Sequence, residues 1–250
     1  MAGNAVGLGN FLRFPVQAAS NGGGSFMITY FIALLLLGIP LMWIEWGIGR
    51  NGGRFRKGHM PGMFAALWRH PAAKYFGVLG MVIPMVVMIY YTYIESWTLA
   101  FTWFSLTSDY WGRGTQPEMV AYLQSFQGVG DPAARVHAAW TPYAFFLVTL
   151  GINIWIISKG ISGGIEKLAR IGMPVLFLFA AVLAVVVLSL PAGPDGSTPW
   201  TGLNFIYNPD LSRIAEPSVW LASAGQIFFT LSVGMGTLHA YASYLSLIHI

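Results

Sequence analysis

The chain has 250 residues, of which 56% are hydrophobic and only 9% are charged. This composition excludes an ordinary soluble domain and is typical of a chain that lies largely in a membrane. The formal net charge is +4, and the sequence has no cysteine, which excludes disulfide and thiol chemistry. The five histidines show no close pair at metal-ligand spacing, and we interpret them as loop or interfacial residues.

Six membrane spans are predicted, because a crossing helix needs about 20 mostly apolar residues. In chain order the spans cover residues 2–21, 24–49, 75–107, 142–159, 166–190 and 218–244. The third is long enough to tilt strongly or to project beyond the bilayer. Segments 108–141 and 191–217 hold most of the Pro, Asp and Gly between spans and are interpreted as extracellular loops with short helices. The predicted fold class is therefore an all-α polytopic membrane protein.

The first and sixth spans each contain a helix-weakening segment. Asn4 to Pro15 reads NAVGLGNFLRFP, with glycines at positions 7 and 9, and Phe229 to Gly236 reads FTLSVGMG and repeats this glycine spacing. Each glycine weakens a helix by roughly 1 kcal/mol relative to alanine. Unwound backbone at membrane depth is tolerated only where it is buried in protein or lines a cavity. Two such breaks indicate the binding site of a secondary transporter. For either segment alone, the alternative is close helix packing through small residues.

Basic residues are distributed unevenly among the loops. The loops after the second and fourth spans carry Arg50, Arg54, Arg56, Lys57, Arg69 and Lys74, and Lys159, Lys167 and Arg170, respectively. The alternate loops carry only Arg113, Arg135 and Arg213 beside a larger number of acidic residues. The positive-inside rule predicts a multi-pass protein of the plasma (bacterial inner) membrane whose chain starts in the cytoplasm. Since this bias explains the net charge, no nucleic-acid partner is expected.

Five motifs in chain order resemble the neurotransmitter:sodium symporter family, and most closely its bacterial amino-acid transporters of the leucine-transporter type. They are NAVGLGNFLRFP, NGGGSF, GIPLMWIEWGIGR, YYTYIESW and GQIFFTLSVGMG. The resemblance implies the leucine-transporter-type fold, in which two five-span repeats have inverted topology and spans 1 and 6 are broken at mid-membrane. Residues 1–244 are then expected to be a partial transporter domain, comprising the first repeat and span 6.

The two ends of the chain depart from that family pattern. The resemblance implies that the start of span 1 and the later spans lie outside this sequence. Residues 245–250, LSLIHI, replace the charged cytoplasmic loop of the family. We expect them to be a non-native tail, with a genuine apolar helix end as the alternative.

Two sodium sites are implied by the resemblance. The first would use the carbonyl of Ala5, the side-chain oxygen of Asn10, the carbonyl and hydroxyl of Thr230, and the carboxylate of the substrate. The second would use the carbonyls of Gly3 and Val6. An alternative role for Asn10 is to cap the second half of span 1, and the two roles are compatible.

The same resemblance implies an amino-acid site between spans 1, 3 and 6. The substrate carboxylate would accept the N–H groups of Leu8 and Gly9 and the Tyr91 hydroxyl, with Gly9 leaving room for it. The ammonium group would face the carbonyls of Ala5, Phe229 and Thr230 and the hydroxyl of Ser232. Family members that carry biogenic amines have an aspartate where this chain has Gly7, so we expect a zwitterionic amino acid.

The remaining implied residues form the side-chain pocket and the gates. The pocket would be lined by Val87, Tyr91, Phe229, Ser232 and Met235. Met235 replaces the phenylalanine of the leucine-selective pattern, and its flexibility favours larger hydrophobic or aromatic substrates. The gate residues would be Arg13, Gln226, Tyr91 and Phe229 on the extracellular side and Tyr244 on the cytoplasmic side. Two further ionisable residues in the spans, Glu45 and Glu95, are expected to satisfy backbone groups of the broken helices.

The function expected from these residues is sodium-coupled symport of a neutral, hydrophobic or aromatic amino acid by alternating access. The expected partners are the amino acid, sodium ions and the lipid bilayer. The sequence has no nucleophile–base pair, metal set or phosphate loop, so an enzyme is not predicted. The alternative is a non-transporting membrane sensor or accessory protein that retains the same fold.

Overall fold

The structure is a computed structural model that describes residues 6–129, 139–193 and 196–244. Within these residues the regular structure is helical throughout, and no strand occurs. The helices are α1 (Leu8–Phe11), α2 (Arg13–Ser20), α3 (Gly24–Ala33), α4 (Ile39–Arg54), α5 (Met60–Leu67), α6 (Ala73–Thr107), α7 (Gln116–Gln127), α8 (Thr141–Ser158), α9 (Glu166–Leu188), α10 (Pro199–Tyr207), α11 (Pro217–Leu231) and α12 (Thr237–Ser243). Leu34–Gly38 and Ile161–Ile165 form π-helical turns, and Leu211–Ala215 forms a 3₁₀ turn.

In the described part of the chain, four helical stretches are long and apolar enough to cross a membrane. They are Gly24–Arg54, Ala73–Thr107, Thr141–Ser158 and Ile161–Leu188. These stretches match the second to fifth predicted spans, so the prediction of an all-helical membrane protein is confirmed. Helix α6 has 35 residues, or about 52 Å at 1.5 Å per residue, which exceeds the roughly 30 Å of a bilayer core.

Pro40 does not end the second span, because a π-helical turn precedes it. Proline has no N–H, and its ring clashes with the carbonyl four residues earlier. In the turn Leu34–Gly38 the hydrogen bonds reach one residue further, and the N–H of Ile39 donates to the carbonyl of Leu34. The chain therefore stays helical from Gly24 to Arg54.

The first and sixth predicted spans each contain two helices in the structure. The described part of residues 2–21 contains α1 and α2, with Leu12 between them. Residues 218–244 contain α11 and α12, which are separated by the non-helical segment 232–236. Residues 1–5 and the suspected tail 245–250 lie outside the described residues.

The described residues divide into two compact units, and the first combines the described residues up to 85 with those from 172 onward. In this unit α11 packs against α3. The hydroxyls of Thr29 and Ser223 are hydrogen-bonded at 2.6 Å, and both residues are fully buried. Around them lies an apolar cluster centred on Ala18, Phe26 and Val219.

Helix α12 packs closely against α4 in the same unit, through glycines of α4. A side chain added at Gly49 would collide with the backbone of His239, and one added at Gly53 would collide with the backbone of Ser243. Small residues at such positions allow membrane helices to approach closely. This contact brings the start of α12 and the middle of α4 together.

The second unit, residues 86–171, is built around an aromatic cluster. Buried side chains of α6 and α7 meet side chains of α8 there, and the cluster includes Phe101, Phe104, Tyr122, Phe126 and Phe145. The Tyr122 hydroxyl donates to Asp109 Oδ2 at 2.8 Å. Burial, and then this hydrogen bond to the carboxylate, raise the pKa of Tyr122 above its usual value.

Candidate functional site

A hydrogen-bonded chain of side chains links α11 to α1. Thr230 Oγ1 donates to Asn10 Oδ1 at 3.2 Å, and Gln226 Nε2 donates to Thr230 Oγ1 at 3.2 Å. Gln226 and Thr230 are four residues apart on α11, so their side chains lie on one face of the helix. The hydrogen bond between Asn10 and Thr230 brings two neutral side-chain oxygen atoms together. The two residues are 220 positions apart in the sequence.

Asn10 lies inside α1 and does not cap α2. Its N–H donates to the carbonyl of Gly7 at 3.0 Å. The residue that precedes α2 is Leu12, and it makes no side-chain cap. The Asn10 side chain instead accepts the hydrogen bond from Thr230.

Arg13 contacts residues of α11 beside this hydrogen-bonded chain. Its guanidinium donates to the carbonyl of Gly225 at 3.3 Å. The guanidinium carbon also lies 5.1 Å from the centroid of the Phe229 ring, within the range of a cation–π interaction. Arg13 thus connects α2 to α11 through both the backbone and an aromatic ring.

The Phe229 ring also covers Gly9. Gly9 is buried, and a Cβ added to it would overlap the Phe229 ring. The absence of a side chain at Gly9 therefore allows the ring to pack onto α1. The space that the sequence analysis reserved for a substrate carboxylate is filled by this ring in the structure.

The backbone conformation of segment 232–236 explains why glycines occur in it. Ser232, Gly234 and Gly236 have positive φ angles of 54°, 82° and 74°, a region that glycine adopts without steric cost. Gly236 also lies so close to the carbonyl of Gly80 that no side chain would fit. Both glycines of the segment are thus required by its backbone conformation.

Glu45 of α4 contacts segment 232–236 and the start of α12. Its Oε1 accepts a short hydrogen bond from the N–H of Gly234. Its Oε2 lies 3.5 Å from Nδ1 of His239 on α12. His239 is only 3% exposed, so its interpretation as a loop or interfacial residue was wrong. Glu95, in the second unit, accepts instead from Asn153 at 2.8 Å.

The other predicted site residues are distributed over both units. Val6 and Leu8 lie at the start of the described residues, and Gly3 and Ala5 lie outside them. The side chains of Ser232 and Met235 are half-buried in segment 232–236. Within the second unit, Val87 and Tyr91 lie one turn apart on α6 and are half-buried. Tyr244 follows α12 and is 72% exposed.

Helices that are long and apolar enough to cross a membrane are typical of an all-helical membrane protein. The model of the Sodium:neurotransmitter symporter family matches residues 1–121 and 121–249. The chain therefore belongs to this family of sodium-dependent transporters.

Similar proteins include two uncharacterized sodium-dependent transporters. One, from Methanocaldococcus jannaschii, is 34% identical over 97% of this chain and 46% of its own length. The other, from Haemophilus influenzae, is 30% identical over 98% of this chain and 51% of its own length. The sodium-dependent neutral amino acid transporter B(0)AT1 of Mus musculus is 29% identical over 97% of this chain and 39% of its own length. The chain thus spans about half, or less, of the length of these relatives.

Proposed function

We propose that this chain forms part of a sodium-coupled symporter that carries a neutral, hydrophobic or aromatic amino acid by alternating access. The observation that carries the proposal is the contact of Asn10 with Thr230 at 3.2 Å. It joins the two interrupted spans through the type of oxygen ligand that a hard cation prefers. The mouse relative's name, a sodium-dependent neutral amino acid transporter, supports the same substrate class.

The first sodium ion would lie between these two oxygens. Thr230 now donates its hydroxyl proton to Asn10 Oδ1. The hydroxyl would rotate so that its proton points away, the ion would take the place between the two oxygens, and the carbonyls of Thr230 and Ala5 would complete the protein ligands. The family resemblance assigns the second ion to the carbonyls of Gly3 and Val6.

The amino acid would lie beside the first ion. Its carboxylate would take the N–H groups of Leu8 and Gly9 and the Tyr91 hydroxyl, and would also ligate the sodium ion. Because the Phe229 ring covers Gly9, the carboxylate reaches that backbone only when the ring turns away. The ammonium group would face the carbonyls of Ala5, Phe229 and Thr230 and the hydroxyl of Ser232, and Val87 and Met235 would contact the substrate side chain.

The gate assignment follows from the same contacts. Phe229 and Arg13 already pack together, and Gln226 lies one turn before Thr230 on α11. With Tyr91, these residues would close the site on its outer side. Tyr244, exposed after α12, would belong to the inner gate.

Ion dependence tests this proposal directly. The protein in lipid nanodiscs would be tested for binding of radiolabelled leucine, phenylalanine, tryptophan and tyrosine in sodium or in potassium. We expect binding of at least one of them in sodium and none in potassium. Thr102→Val is a matched control, because the exposed Thr102 hydroxyl bonds only within α6, and it should bind as the wild type does. Equal binding in the two salts would refute the sodium site.

A further inference from the structure

Two polar atoms face each other in the interior of the first unit without a hydrogen bond. They are Oε2 of Glu45 on α4 and Nδ1 of His239 on α12, 3.5 Å apart. Neither atom has a hydrogen-bond partner among the described residues. The two residues are only 6% and 3% exposed. A separation of 3.5 Å is too long for a strong hydrogen bond, although one proton placed between the atoms would satisfy both.

Among the described residues, no second ion pair compensates the charge of this pair. The ionisable residues on the elements that pack around it are Arg50 and Arg54 on α4, His59 before α5, Lys74, Tyr75, Tyr90, Tyr91, Tyr93 and Glu95 on α6, Tyr241 on α12 and Tyr244 after it. The Nε atom of Arg50 is itself buried without a hydrogen-bond partner in the described chain. Helices α5 and α11 have no ionisable side chain. In the described chain, Glu45 has its ion-pair contact with His239 alone.

We propose that Glu45 and His239 together form a binding site for one proton inside the membrane. With the proton bound, the imidazole and the carboxyl group share it, and the pair has no net charge. Without it, the carboxylate is an unbalanced negative charge in an apolar interior, which is costly. The imidazole of His239 can take up or release this proton, so the site has two charge states.

Proton binding at this site acts on segment 232–236 through Glu45. The second carboxyl oxygen, Oε1, accepts the N–H of Gly234. A charged carboxylate without the proton makes the stronger, charge-assisted hydrogen bond to that N–H. Sharing the carboxylate with a protonated His239 weakens this bond. Segment 232–236 directly follows α11, which carries Thr230, so the proton and the sodium ion are expected to influence each other's binding. This coupling rests on the proposed function, whereas the proton site itself does not.

Nitrogen-15 NMR of histidine-labelled protein in nanodiscs tests the proton site directly. The His239 signal is identified by its loss in His239→Gln, a variant whose amide still reaches Glu45. With the pH varied from about 4 to about 8, we expect the signal to show a protonation step whose midpoint moves in Glu45→Gln. The control His70→Gln removes an exposed histidine and should leave the His239 titration unchanged. A His239 signal that is constant over this range, or that titrates identically in Glu45→Gln, would overturn the proposal.

The coupling is tested by amino-acid binding at several sodium concentrations and two pH values. We expect the apparent sodium affinity of the wild type and of His70→Gln to change about fivefold or more between the two pH values, the usual lower range of coupling between sites. His239→Gln should show no such change. A pH dependence that survives in His239→Gln overturns the coupling. If the wild type binds no amino acid in sodium, the proposed function fails, and the NMR titration still decides the proton site.

Discussion

Replacing Thr230 with valine isolates the contact between the two interrupted spans. Valine has nearly the shape of threonine, so the change removes one hydroxyl and leaves the packing in place. Two hydrogen bonds disappear, the one to Asn10 and the one from Gln226. Gln226 is fully buried, and its Oε1 already lacks a partner in the described chain. Leaving its amide nitrogen unsatisfied as well is expected to cost about 1–3 kcal/mol of stability without sodium.

The effect of Thr230→Val on sodium binding is separate from this loss of stability. The variant lacks one proposed ligand of the ion, and the apparent sodium affinity should fall by at least about tenfold, equivalent to about 1.4 kcal/mol. High sodium should restore amino-acid binding by mass action. Thermal unfolding in detergent without sodium measures the first effect, and substrate binding over a sodium titration measures the second.

A double-mutant cycle with Gln226→Leu connects the two measurements. Since Gln226 and Thr230 are in direct contact, their effects on stability should be non-additive by about 0.5–3 kcal/mol. Thr102→Val again serves as the exposed control. Thr230→Val with unchanged sodium dependence would show that this hydroxyl is not a ligand, and additive stability effects would show that the buried hydrogen bond has no energetic weight.

Two further predictions concern the substrate and the second unit. The family resemblance aligns Gly7 with an aspartate of the amine-carrying members, so phenethylamine or tryptamine should not displace the matching amino acid in a competition assay. Effective displacement would contradict the proposed carboxylate site. Tyr122→Phe should lower the thermal stability, because it removes the hydrogen bond to Asp109. The pKa of Tyr122 is raised in the folded state, so its contribution is fully present below its unfolded pKa of about 10 and is lost as the pH rises above it. Unfolding measured at increasing alkaline pH should therefore show a steeper loss of stability in the wild type than in Tyr122→Phe, and parallel curves would contradict this.

The spans were predictable because hydrophobic length is a property of the sequence alone. The four long apolar stretches needed no tertiary information, and their limits lie within five residues of the predicted ones. The π-helical turn before Pro40 was not predicted. Proline signals a disturbance of the helix, but the way in which the preceding turn absorbs it depends on local backbone packing.

The site was predictable where an unusual residue type interrupted an apolar stretch. Glu45 in the second span was such a residue, and its contact with Gly234 agrees with the expected role of supporting an interrupted helix. His239 carried the same signal, a titratable side chain in an apolar span, but it has no partner close to it in the sequence. Its partner Glu45 is 194 positions away, and only the packing of α12 against α4 reveals it.

The position of Phe229 shows why the resemblance alone does not fix the geometry of the site. Sequence reasoning took Gly9 as space for a carboxylate, and the structure fills that space with the Phe229 ring. The same ring contacts the Arg13 guanidinium, an interaction of about 0.5–1 kcal/mol at an exposed site and more where water is excluded. In the proposed site, a substrate that reaches the Gly9 backbone would displace the ring and break this contact. Arg13 and the substrate would therefore compete for the position of the Phe229 side chain, which would connect occupancy of the proposed site to the proposed outer gate.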